Sequence, residues 1–145
     1  MRHAVELAGV IAAGLFTGGA VFAAVVEHPA RIEAGVAAAL AQFRPSFRRA
    51  TQIDLIAAAL TLVLCSVATA LGAKVIWLIG GLLVGAVIPL TFTLILPINR
   101  RLVEADATAR PDEARELLHR WGRFHELRCA FGVAGFVAVA LAALG

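Results

Sequence analysis

The chain contains no tyrosine, and among its 145 residues cysteine occurs only twice. The first absence excludes a tyrosyl group from any chemistry. The second excludes a disulfide framework. Cys65 sits in the middle of one apolar run and Cys129 near the start of another, so no bridge between them is expected. No linker rich in proline, glycine or serine interrupts the chain, and no segment is of low complexity. The length therefore points to one domain. Charge is missing from the interior of every long apolar run. That argues against a proton pump or a transporter built on buried charge. An inverted repeat of the kind that carriers use is lacking as well.

What is present is hydrophobic. Apolar residues make up 61% of the chain and the mean hydropathy is +0.88, against roughly 45–50% apolar in soluble domains. A hydrocarbon core of ~30 Å needs about 20 apolar residues in a helix. Four stretches qualify: 5–26, 53–71, 75–96 and 127–144. The first is longer than the apolar core of a cleaved leader, so it reads as a span. The expectation is an all-α membrane protein, a bundle of four transmembrane helices.

Segments two and three are joined by the short turn Gly72-Ala73-Lys74 and form an antiparallel hairpin. The other two connectors, 27–52 and 97–126, are long and fall on one side of the membrane. That side carries eleven arginines, from Arg31 to Arg128, whereas the side of the termini carries Arg2 and Lys74. Basic connectors stay in the cytoplasm. The long connectors are therefore expected there and both termini outside. A solvated basic face beside anionic lipid accounts for the high isoelectric point without nucleic acid.

The connectors carry helical patterns. Ile32, Val36, Leu40, Phe43 and Phe47 recur at helical spacing, as an amphipathic helix lying on the membrane or capping the bundle. Thr51, with Asp54 three residues later, suits the start of the second span. Pro111 followed by Asp112 and Glu113 starts a helix that runs on into the fourth span, extending it into the cytoplasm. Within the spans, Gly14 with Gly18 and Gly81 with Gly85 are small-xxx-small pairs. They suit close helix packing in lipid, inside the bundle or between copies in a homo-oligomer.

Polar residues gather at one rim. Glu27, His28 and Arg31 close the first span, Asn99 closes the third, and Trp121, His125 and Arg128 share one face where the fourth opens. Rim residues of these types also serve as interface anchors and lipid-phosphate partners. As chemistry, a histidine suits proton transfer, and arginine or asparagine suits a developing oxyanion. His28 and His125 with a carboxylate suit a transition metal or part of a haem site.

The motifs Glu27-His28-Pro29-Ala30-Arg31, Pro97-Ile98-Asn99-Arg100-Arg101-Leu102 and Trp121-Gly122-Arg123-Phe124-His125-Glu126-Leu127-Arg128 occur in that order. The chain resembles the anthrone oxygenase family of small four-helix membrane proteins along nearly its whole length. The resemblance implies an oxidoreductase or oxygenase acting on a flat apolar substrate at the cytoplasmic rim. It carries His28, Asn99, His125 and Arg128 over as catalytic positions, with Trp121 beside them. Glu27 and Arg31 join Trp121 as substrate-binding candidates. The alternative is a non-enzymatic membrane subunit or a module binding a small molecule or haem. The resemblance fixes neither a cofactor nor a substrate.

Overall fold

The computed structural model describes residues 1–144. Its four long helices are α1 (Arg2–Glu33), α2 (Val36–Ala70), α3 (Ile76–Glu104) and α4 (Pro111–Leu144), all apolar enough to cross a membrane. They form a four-cornered bundle. α1 packs on α2 and α4, α3 packs on the same two, and α2 and α4 face each other across the diagonal. Outward positions such as Leu15, Leu60, Val63, Leu82 and Leu141 are large, apolar and exposed. In water such a surface would carry a heavy hydrophobic penalty, whereas in lipid it carries none. The protein is an integral membrane protein.

The helices exceed the bilayer. α4 has 34 residues, roughly 50 Å at 1.5 Å per residue, against a hydrocarbon core of ~30 Å. The surplus lies at the end away from the termini. There the expected amphipathic helix is divided at Gly35: Ile32 belongs to the end of α1, and Val36 to Phe47 form the first turns of α2, which cap the bundle with Leu40 and Phe43 buried against Leu118 and Trp121 of α4. No helix starts at Thr51. α2 runs through it without a break, and Asp54 has a different partner, described below.

Each short turn contains a glycine at positive φ, Gly35 at 87° and Gly72 at 89°. At Gly72, the Ala73 N–H reaches back to the Ala68 carbonyl and the Gly72 N–H to the Thr69 carbonyl. These are the paired bonds of a Schellman end, which favours glycine. Between α3 and α4, Asp106 closes the loop by accepting the N–H groups of Thr108 and Ala109 at 2.8 and 3.1 Å. Those two bonds hold its carboxyl below the usual carboxylate range. Arg44 donates to the carbonyls of Val103 and Ala105 and ties this loop to α2.

Glycine governs packing near the hairpin end. A Cβ on Gly135 would stand 2.6 Å from Val84 Cγ2 and 2.8 Å from the Gly80 carbonyl, so α3 and α4 meet backbone to backbone. The Gly81–Gly85 pair packs inside the protomer, against Cys65 and Leu62 of α2. Gly14 faces Phe136, whereas a Cβ on Gly18 would meet nothing within 4 Å. Of the hydroxyls, Thr61, Ser66, Thr69 and Thr93 bond back to their own helices. Thr17 crosses to the Gly132 carbonyl at 3.0 Å and ties α1 to α4.

Gly135→Ala is expected to cost about 1–3 kcal/mol through overpacking, read as a lowered Tm in detergent. Gly18→Ala, made into open space, is expected to leave Tm unchanged. Equal Tm values for the two variants would contradict the backbone contact.

Candidate functional site

Two wide turns shape the rim. In α1 the turn Ala23–Glu27 is π-helical, and so is Thr91–Ile95 in α3. Each ends two residues before a proline, Pro29 and Pro97. A proline within a helix lacks the N–H for the carbonyl four residues back, and its ring clashes with that carbonyl. Those carbonyls belong to Val25 and Thr93, both inside the wide turns. The extra residue per turn relieves the clash and rotates the residues beyond it, where Arg31 of α1 and Asn99 of α3 are buried in the bundle; Glu27 ends the first wide turn, half-buried beside Arg31. Such insertions recur at functional sites.

At the junction with the first wide turn, the Ala20 carbonyl accepts a hydrogen bond from His125 Nε2 at 3.1 Å. A carbonyl oxygen only accepts, so Nε2 carries hydrogen; in the neutral ring the lone pair then sits on Nδ1. His125 is 2% exposed, and its Nδ1 has no protein partner. The ring stacks on Trp121, centroids 4.6 Å apart and planes 12° apart. Trp121 Nε1 donates to Asn99 Oδ1 at 2.9 Å, which leaves the Asn99 amide N–H groups as its remaining donors.

Two ion pairs flank this stack. Arg128 Nη2 donates to Asp54 Oδ2 at 2.7 Å, joining α4 to α2 across the diagonal. Arg31 Nη2 lies 3.2 Å from Glu27 Oε1. Gln42 of α2 bridges that second pair, accepting from Arg31 Nε and donating to Glu27, both at 2.6 Å. Arg31 also lies over the rings of Phe43 and Trp121, 5.4 Å from each centroid. Each guanidinium keeps one buried nitrogen without a partner, Nη1 of Arg31 and Nε of Arg128.

Between these groups lies a cavity of about 270 Å³, lined mainly by apolar atoms. Six of the seven residues singled out from the sequence line it: Glu27, Arg31, Asn99, Trp121, His125 and Arg128. His28 does not. Its ring lies 5.1 Å from Trp121, seated where a Cβ on Gly122 would come within 2.5 Å of its Nε2. Among the described residues, no three His, Cys, Asp or Glu side chains converge as they would around a metal ion. The sequence assigns Asp54 to a helix start and Gln42 to no role, and neither shows there as part of the rim. Asp54 had a signal, as a lone acid at the edge of an apolar run. Gln42 had none, because its role depends on how α2 lies against α1.

Fold and site together define a small four-helix integral membrane protein with a polar-edged cavity at one end of an apolar bundle. The anthrone oxygenase family model matches residues 43–138, well over half of the chain, and the chain belongs to that family. The match takes in Asn99, Trp121, His125 and Arg128 and begins after Glu27, His28 and Arg31. No curated protein and no solved structure matches the chain.

The Asp54–Arg128 pair gives a test of the site's energetics. Removing one member of a buried pair costs about 3–5 kcal/mol, whereas replacing both by apolar residues is often neutral. Asp54→Ala is expected to lower Tm strongly, and Asp54→Leu combined with Arg128→Met to recover most of it. A double variant no more stable than Asp54→Ala would show that the pair is not coupled.

Proposed function

We propose that the protein is a membrane oxygenase that oxidises a flat, apolar, enolisable ketone in the cavity ringed by Arg31, Asn99, Trp121, His125 and Arg128. The observation that carries this reading is one imidazole lone pair without a partner, on His125 Nδ1, beside guanidinium nitrogens without partners in a mainly apolar cavity. Family membership supports the same reaction class.

An anthrone has a methylene acidified by a ketone across its central ring. The neutral His125 ring takes a proton from that methylene, and the Ala20 carbonyl holds the resulting imidazolium through its Nε2–H. As the proton leaves, charge moves to the ketone oxygen. Arg128 Nε and the Asn99 amide donate to that oxygen, and donors aimed where charge develops lower the barrier. Glu27 and Asp54 offset Arg31 and Arg128, so the cavity accepts a neutral ketone and stabilises its enolate. Dioxygen then adds at the former methylene carbon, and the His125 imidazolium returns its proton to the peroxide anion; the resulting hydroperoxide loses water to leave a second ketone. The balance is one anthrone and one dioxygen to one anthraquinone and one water. Trp121 stacks on His125 and lines the cavity beside the substrate, and His28 and Phe43 pack around that ring.

The same reading places the rim in the cytoplasm, supported by the eleven arginines on the side of the long connectors. A reporter fused after Gly145 is expected to read as external; a cytoplasmic reading would reverse the orientation.

Loss of a positioned general base typically costs 10²–10⁴-fold in rate, and about that loss is expected for His125→Ala. It is measured as anthrone-dependent oxygen uptake and anthraquinone absorbance in proteoliposomes, with Tm measured alongside. Unchanged turnover by a folded His125→Ala protein would exclude the proposed base.

A further inference from the structure

The outward face of α2 is a stripe of exposed apolar residues, Ile53, Ile56, Leu60, Val63 and Val67. That spacing follows one side of the helix, and in a membrane protein such a side touches acyl chains. Ile53, at the rim end of the stripe, is 66% exposed and also lines the cavity. α1 repeats the arrangement. Phe22 is 58% exposed, in the apolar series with Leu15 and Ile11, and it too lines the cavity. Two neighbouring helices thus each carry a residue that belongs both to the outer apolar surface and to the cavity wall. Between them stands Gly19, a cavity residue. A Cβ on Gly19 would meet only Asp54 Oδ1, at 3.6 Å, an ordinary contact. No tight packing demands a glycine there; its missing side chain leaves the cleft between α1 and α2 open. Just rimward of Ile53, α2 carries Gln52 and, one turn on, Arg49 and Arg48, all exposed and polar, so this cleft lies at the edge of the hydrocarbon.

We propose that the cavity opens sideways into the bilayer between α1 and α2, with Phe22 and Ile53 as its lips and Gly19 as the gap that sets its width. Its ligand is an apolar molecule that enters from the lipid. This rests on the reading of the cavity as the ligand site, but not on the oxygen chemistry assigned to it. The wall graded from apolar lips to Asp54 and Arg128 suits a molecule that is mostly hydrocarbon with one polar oxygen. Such a molecule partitions into the bilayer and crosses no water on its way to His125. The width at Gly19 selects for thin, flat shapes.

Trp121 reports on this directly. It lines the cavity and is otherwise buried, and the other tryptophan, Trp77, is 2% exposed in a separate cluster near the hairpin end. In Trp77→Phe protein reconstituted into phosphatidylcholine brominated near the top of its acyl chains, Trp121 fluorescence is expected to be strongly quenched. Aqueous acrylamide is expected to quench it little. Gly19→Leu fills the gap and is expected to abolish the lipid quenching, and Phe22→Ala removes a lip and raises it. Gly18→Leu, one position away and outside the cavity wall, is expected to change nothing. Trp121 quenched by acrylamide and not by brominated lipid would overturn lateral entry, as would lipid quenching that is indifferent to both Gly19→Leu and Phe22→Ala. No turnover is needed for this reading, so loss of the proposed oxygenase activity and loss of the lateral opening are separate results.

Discussion

A guanidinium and a carboxylate 2.7 Å apart, near the rim end of the apolar bundle, tie the helices around the cavity. Arg128 and Asp54 belong to α4 and α2, which face each other across the diagonal. Towards the hairpin end the bundle closes on small residues and apolar side chains, with Phe16 packed against Gly132 and α3 meeting α4 at Gly80 and Gly135. On the rim side the helices are held apart by large rings and polar groups, and a cavity remains. Among neutral side chains a diagonal bridge would be weak; between full charges away from water it is strong, because the medium screens little. Arg128 thereby fixes the start of the fourth span, and with it His125 and Trp121 one and two turns further out on the same face.

The prolines act on the other helices. In α1 and α3 a wide turn precedes a proline by the same interval, and in each case the residues just beyond it supply the cavity's polar wall. In α1 the Ala20 carbonyl, which also takes the Ala23 N–H just before the wide turn, accepts from His125 and so selects the tautomer of an imidazole on another helix, while Arg31 beyond the turn is buried. In α3 Asn99, beyond the second wide turn, accepts from Trp121.

Much of this was legible in the residues, for a simple reason. A helix that crosses hydrocarbon satisfies its backbone internally and must be apolar along about 20 residues, so helical spans show as runs. The i, i+4, i+7 face of Trp121, His125 and Arg128 shows because α4 is regular there. Legibility failed where geometry came from three dimensions. Thr51 and Asp54 have the spacing of a helix start, but a helix already in progress needs no cap, and the acid instead answers an arginine seventy-four residues away. His28 shares a motif with Arg31, yet the wide turn and the bare backbone at Gly122 seat it behind Trp121. The pair Gly81 and Gly85 reads equally well as an interface between copies or within one; the fold uses it against α2.

The polar atoms without partners bear on why such a rim exists at all. Each buried donor or acceptor left unmade costs about 1–3 kcal/mol, and Arg31 Nη1, Arg128 Nε and His125 Nδ1 all stand in that condition around one cavity. Apolar residues of similar volume would pack the same space and avoid the cost, as they often do for buried ion pairs. A fold under selection for stability alone has no use for this arrangement. The ligand we propose, with an acceptor oxygen for Arg128 and an acidic C–H for the His125 imidazole, would give partners to two of the three. On that proposal, groups that cost stability in the protein alone contribute instead to binding and proton transfer, and they would distinguish a ketone with an acidic methylene from the lipid chains around it.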